Sequence, residues 1–198
     1  MKKNVFILFL ILCTMSVGST FAQDQKSAKQ PVKPALVVID IQNAFLPMIP
    51  EREKETALYY INYYIDLFRS NGWPIILVYH QSKEFGVEPG TEQFEFPKSV
   101  NIKPEDPKVF KTYPNGFNKT DLDKVIRDSG SNTLFLCGLS AVGCVLATWI
   151  GASDHDYQAF MLKDAIMSHN EKYTDNVEEM FGAVNYEVVK MALDAASK

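Results

Sequence analysis

The chain has 198 residues, 46% of them apolar and 22% charged, which is enough for one well-packed domain and excludes a disordered tail protein. Its formal charge of -4 offers no basic footprint for nucleic acid, and three cysteines are too few for a disulfide scaffold. Ten glycines and ten prolines exclude a collagen-like or low-complexity chain.

The N-terminus reads as an address. Lys2 and Lys3 form a positive region, Val5 to Leu12 is an apolar run, and Ser19-Thr-Phe-Ala22 supplies small residues for a signal peptidase. Cleavage after Ala22 is expected, with a periplasmic or secreted product. A membrane anchor is disfavoured, because a span needs about 20 mostly apolar residues and Cys13 to Thr20 is largely small and polar. Residues 23–34, rich in Lys, Gln, Ser and Pro, read as a flexible linker before a single domain over 35–198.

From there strands and helices alternate. Ala35 to Ile39 is a continuous apolar, β-branched strand of the kind buried on both faces. Glu51 to Asn71 carries apolar residues at a 3.6 period and stops at Asn71-Gly72. Pro74 to Tyr79 is a second strand. Residues 81–107 are polar and punctuated by Gly86, Pro89, Gly90, Pro97 and Pro104, so a long surface loop is expected there, and with it the specificity of any site. Val109 to Lys111 is a short third strand. A helix over Asp121 to Asp128, capped by Thr120, stops at Gly130. Asn132 to Cys137 is a fourth strand, Val142 to Ser153 a helix, Tyr157 to Leu162 a fifth strand, and Asn170 to Phe181 a helix. Tyr186 to Met191 is a sixth strand or the start of a last helix. The pattern predicts an α/β fold: a three-layer α/β/α doubly wound architecture on a mainly parallel six-stranded sheet. Ligands in such sheets bind beyond the carboxyl ends of the strands.

Three strand ends carry chemistry. Asp40 ends the first, Lys111 the third, and the fourth leads through Gly138-Leu-Ser-Ala-Val-Gly-Cys144 into a helix. Each residue taken alone has an ordinary structural reading: a turn aspartate, a surface lysine, a small core thiol. Together they outline an activated nucleophile. A helix N-terminus and a nearby ammonium favour the thiolate, Asp40 shuttles the proton, and the Gly138 to Gly143 turn offers amides to an oxyanion. That is the outline of acyl transfer through a thioester.

These residues resemble the isochorismatase-like cysteine hydrolases, which include nicotinamidases, N-carbamoylsarcosine amidase and ureidoacrylate or biuret amidohydrolases. The resemblance rests on Asp40-Ile-Gln-Asn-Ala-Phe45, on Lys111 with Phe117-Asn-Lys-Thr120-Asp-Leu122, and on Gly138-Leu-Ser-Ala-Val-Gly-Cys144-Val145 with Ala147-Thr148. It covers about residues 35–190. It implies a catalytic triad of Asp40, Lys111 and Cys144, an oxyanion hole from the amides of Ala141 and Cys144, and a non-proline cis peptide at Ser140-Ala141. It also implies a cysteine-dependent amidohydrolase that takes a small-molecule amide or urea substrate; no cofactor is expected.

The departures sharpen this. Nicotinamidases hold a metal through an Asp-x-His pair and a second His after the second strand. Here Tyr79-His-Gln-Ser-Lys-Glu84 provides His80 alone, so no metal is expected. His155 and His169 fall outside the motifs and receive no role. Phe45, Tyr113, Phe117 and Leu139 flank the motifs and are candidates for a substrate-binding wall. Cys137 reads as an inert core thiol, the alternative being a disulfide with Cys144. Tyr59, Tyr60, Tyr63 and Tyr64 exceed one core stripe and suggest a homo-oligomer, or else an exposed amphipathic face. Gly143 before the nucleophile resembles the isochorismatase side of the family. Two alternative functions therefore stay open: a vinyl-ether hydrolase using Asp40, and a non-catalytic periplasmic binding or thiol protein. No nucleic acid, and no membrane after signal cleavage, is expected as a partner.

Overall fold

A computed structural model of the protein describes residues 31–197. The expected signal segment, its cleavage site, Cys13 and the linker through Gln30 lie outside the described residues. The elements run β1 (Pro34–Ile39), α1 (Glu51–Ser70), β2 (Ile75–His80), β3 (Lys108–Lys111), α2 (Leu122–Asp128), β4 (Thr133–Leu139), α3 (Leu146–Asp154), β5 (Gln158–Met167), α4 (Glu171–Met180) and α5 (Tyr186–Ala196). The sheet has five strands in the order β3-β2-β1-β4-β5, every neighbouring pair parallel.

Five strands replace the six expected. The segment from Tyr186 forms α5, because Val189 and Leu193 are buried at a four-residue spacing and the Asn185 side chain accepts the Val188 N–H at 3.1 Å. Central strand β1 shows why the layers form. Leu36 and Val38 pack into one apolar layer, with Ile61, Ile65 and Phe68 of α1 and Val189 and Leu193 of α5. Ala35, Val37 and Ile39 pack into the other, with Leu122 and Ile126 of α2, Ala152 of α3 and Val177 of α4. Alternation along a strand buried on both faces thus distributes helices to both sides.

Several boundaries move. β4 continues two residues beyond Cys137, because Gly138 pairs with Ile39 and Leu139 with Met167. β5 extends to Met167 through a register shift, with Asp164 at φ 61°. The helix expected from Val142 begins at Leu146; Ala141–Val145 is a separate turn, broken at Gly143 (φ −129°, ψ −107°). The cis peptide is Leu139–Ser140, one bond earlier than expected. Asp121, and not Thr120, stands at the N-cap of α2, although the Leu122 N–H donates to Thr120 Oγ1 at 3.2 Å.

The 81–107 segment is not a loose loop. Val87, Phe94, Phe96 and Val100 are buried, and Phe94 and Phe96 stack on Tyr79 with ring centroids 5.1 and 4.2 Å away. Its carbonyls also accept from Asn43 and Ala44, which pins the stretch that carries Phe45. The tyrosines of α1 divide similarly. Tyr64 is core, and Tyr63 packs on Tyr186 at 4.6 Å, so intrachain contacts account for much of the aromatic excess.

Gly138 sits where β4 meets the end of β1, at φ +115°. A Cβ there would lie 2.1 Å from the Ile39 carbonyl oxygen, so backbone itself must move. Strain and overpacking add. Gly138→Ala is expected to lower unfolding free energy by about 3 kcal/mol or more; urea unfolding that differs from wild type by under about 1 kcal/mol refutes this.

Candidate active site

The carboxyl ends of all five strands converge on one rim. Asp40 follows β1, His80 ends β2, Lys111 ends β3, the Ser140–Val145 turn follows β4, and Ser168-His169 follows β5. Asp40 adopts φ 53°, a left-handed turn that aspartate tolerates better than most residues. His80 and Lys111 lie opposite each other in the β2–β3 register, so their side chains share a face.

Lys111 Nζ lies 2.6 Å from Asp40 Oδ2 and 3.2 Å from His80 Nδ1. The ion pair is closed to water: the two side chains are 0% and 4% exposed. Asp40 Oδ1 is buried and has no partner among the described residues. One Asp40 carboxylate oxygen, one His80 ring nitrogen and Cys144 Sγ all lie within 4.8 Å of one another. So the structure brings Asp40, Lys111 and Cys144 together. Gln42 fixes this cluster from behind. Its amide donates to the His80 and Phe94 carbonyls at 3.0 and 2.9 Å, and its oxygen accepts from the His80 N–H at 2.8 Å.

Protonation departs from the expectation of a standing thiolate. Burial, and after it the Asp40 carboxylate, push the Cys144 thiol up to about 12. The Lys111 ammonium pulls the other way but is committed to Asp40. Burial likewise raises the Asp40 carboxyl above its ordinary value, against the pull of Lys111. Burial and then Lys111 lower His80, so its imidazole is neutral and Nδ1 accepts from the lysine. The resting state is therefore a thiol beside a lysine-held carboxylate with one free oxygen, and that carboxylate's heightened basicity suits a proton acceptor. Alkylation of Cys144 by iodoacetamide is expected to keep rising, about tenfold per pH unit, through pH ~10. A plateau near the ordinary thiol value of about 8.5 would contradict this ionisation order.

Asp40, His80 and Cys144 set oxygen, nitrogen and sulfur donors within 4.8 Å of one another, a spacing that a metal could use, but a cationic side chain already sits among them. The Lys111 ammonium already occupies the centre of positive charge, in contact with both Asp40 and His80.

Over the cluster opens a cavity of about 290 Å³ lined by Asp40, Phe45, Met48, Ile49, His80, Leu139, Ser140, Cys144 and His169. Phe45 and Leu139 are in this lining. Tyr113 is not in the lining; it stands exposed, and its hydroxyl accepts from Lys119 at 3.2 Å. Phe117 is core, stacked on His155 at 4.7 Å. No residue of 81–107 lines the cavity; Phe45, Met48, Ile49 and His169 wall it. Met48 and Ile49 were missed because a hydrophobic residue in a short turn carries no periodic signal.

In the Ser140–Val145 turn, the amides of Gly143 and Val145 both donate to the Ser140 carbonyl, at 2.9 and 3.1 Å. Those two are thereby withdrawn from oxyanion binding, and the expected pair, Ala141 and Cys144, escapes this commitment. Cys137 points into the opposite layer, its Sγ 3.7 Å from the Val37 carbonyl. Both cysteines are free, so the disulfide alternative does not describe this state. Burial raises the Cys137 thiol, in keeping with an inert core residue.

The family model for the isochorismatase domain matches residues 34–192. The isochorismatase family protein YddQ of Bacillus subtilis (strain 168) is 29% identical over 152 residues, covering 72% of this chain and 82% of that protein. Among solved structures, N-carbamoylsarcosine amidase from Thermoplasma acidophilum superposes with a TM-score of 0.67 at 27% identity, over 78% of this chain and 95% of that one. Pyrazinamidase of Pyrococcus horikoshii in complex with zinc does so with a TM-score of 0.66 at 26% identity, over 78% and 99%.

Proposed function

The chain belongs to the isochorismatase family of hydrolases, and from that premise we propose that it is an exported cysteine amidohydrolase cleaving a small amide or urea C–N bond through a thioester on Cys144. One observation carries the reading: a half-buried thiol lies beside a carboxylate whose one oxygen is held by an ammonium and whose other has no partner among the described residues.

The chemistry follows from that arrangement. As Cys144 Sγ attacks the carbonyl carbon, its proton passes to Asp40 Oδ1. The oxyanion forms against the amides of Ala141 and Cys144. The C–N bond then breaks, and Asp40 returns the proton to the departing nitrogen, leaving an S-acyl enzyme. Water attacks the thioester while Asp40 takes its proton, the carbonyl re-forms, and the thiol leaves with that proton. Lys111 keeps Asp40 ionised at rest and stays close enough to balance its charge throughout. His80, neutral, holds the lysine from the other side.

The raised Asp40 carboxyl favours one second reading, in which it protonates a vinyl ether and the thiol stands aside. The test is ammonia release from a panel of small amides and ureas by the purified protein without residues 1–22, with Cys144→Ala as the blank. Binding without turnover across the panel supports neither hydrolase reading and favours a binding protein. Export is supported by the Lys2-Lys3, Val5 to Leu12 and Ala22 pattern. A homo-oligomer is supported by exposed Tyr59 on α1.

A further inference from the structure

We propose that His169 orients the substrate, and that the substrate is a compact amide with an apolar body and one hydrogen-bonding group besides the scissile amide. The inference rests on the amidase reading and extends it to specificity.

At about 290 Å³ the cavity stands at the small end of ligand pockets, and Phe45, Met48, Ile49 and Leu139 make its body apolar. Its other polar side chains sit at the reacting end. Asp40 is paired with Lys111, His80 Nδ1 accepts from the same lysine, and Cys144 and Ser140 belong to the nucleophile turn. His169 alone arrives from β5. Its ring is exposed, packs edge-on to Tyr173 at 5.4 Å, and takes part in no hydrogen bond of the chain among the described residues. An imidazole there offers a donor and an acceptor to whatever fills the cavity.

The backbone on both sides of His169 is held far more firmly than its ring. The Ser168 N–H donates to Glu53 Oε1 at 3.0 Å, and the Ser168 hydroxyl donates to the Asn170 carbonyl at 2.8 Å. Thr174 Oγ1 lies in hydrogen-bond contact with both Glu53 Oε1 and Ser168 Oγ. Ser168 is fully buried and Thr174 nearly so. Glu53 belongs to the first turn of α1, which starts two residues after Ile49. One carboxylate therefore ties the His169 corner to the helix that follows the Met48–Ile49 wall. A loop fixed on either side of a residue with an unengaged ring is built to present that ring.

The test compares butanamide, 4-hydroxybutanamide and succinamate, which share a four-carbon chain and differ at the end away from the amide. Wild-type protein is expected to favour a polar-ended probe over butanamide by about tenfold in kcat/KM. His169→Ala is expected to lose that preference, chiefly through KM, and His169→Gln, which keeps a donor and an acceptor, to regain part of it. A purely structural role would depress all three probes together, and an unchanged preference in His169→Ala overturns the proposal. Calorimetry with Cys144→Ala separates the two readings. No turnover by wild type, with binding of polar-ended probes weakened by adding His169→Ala, overturns the amidase and keeps the orienting role; equal binding with and without His169 overturns that role.

Discussion

Cys144→Ala is expected to lose ammonia release by about 10⁴-fold or more in kcat, since removing a nucleophile forfeits the whole covalent route and not a single stabilising contact. The loss should be chemical and not structural. The side chain is small and only partly buried, at the edge of the layer formed by Val145 and Ala152, so unfolding in urea should shift by no more than about 1 kcal/mol. In wild-type protein quenched during turnover, intact-mass analysis should find a species heavier by the acyl group, mapped to the peptide containing Cys144 and absent from the variant. The opposite pattern, with hydrolysis surviving in Cys144→Ala and lost in Asp40→Ala, would transfer the chemistry to the carboxyl and support vinyl-ether cleavage.

Lys111→Met should be the most destabilising polar substitution at this site. The pair it breaks has no water to fall back on, and Asp40 would be left as a buried charge with two unpaired oxygens. Removal of one partner from such a pair costs about 3–5 kcal/mol, whereas replacement of both by uncharged groups of similar volume is often nearly neutral. Asp40→Asn combined with Lys111→Met should therefore recover most of the stability lost by Lys111→Met alone, while both variants stay inactive because the proton carrier is gone or misprotonated. Urea unfolding of the two variants and of wild type measures the coupling. A single-substitution loss below about 1 kcal/mol would mean that water or another cation reaches Asp40, and the closed ion pair would be wrong.

The proposed chemistry was legible because its carriers stand at strand ends, and strand ends show in a sequence. The run Ala35 to Ile39 stops at Asp40, the run at Val109 stops at Lys111, and a glycine-flanked turn follows Cys137. The sixth strand was misplaced for an equally local reason. Tyr186 to Met191 is short and apolar enough to satisfy either period, and only the burial of Val189 with Leu193, beyond the expected end, selects a helix. Tyr113 and Phe117 look like pocket residues from their neighbourhood in sequence, yet the turn between them sends one to solvent and the other to the α2–α3 layer.

What the sequence determined alone was thus the layer order of the fold, the identities at the ends of β1, β3 and β4, and the resemblance built on them, all properties of short segments read one at a time. Tertiary structure alone decided which residues wall the cavity, that Gln42 and Glu53 brace it, and that burial and Asp40 push the Cys144 thiol up. These depend on groups far apart in the chain meeting at a few ångströms: Asp40 with Lys111 across 71 residues and Glu53 with Ser168 across 115. Desolvation and Coulomb interaction act through space, so the state of a buried thiol belongs to its surroundings and not to its place in the chain.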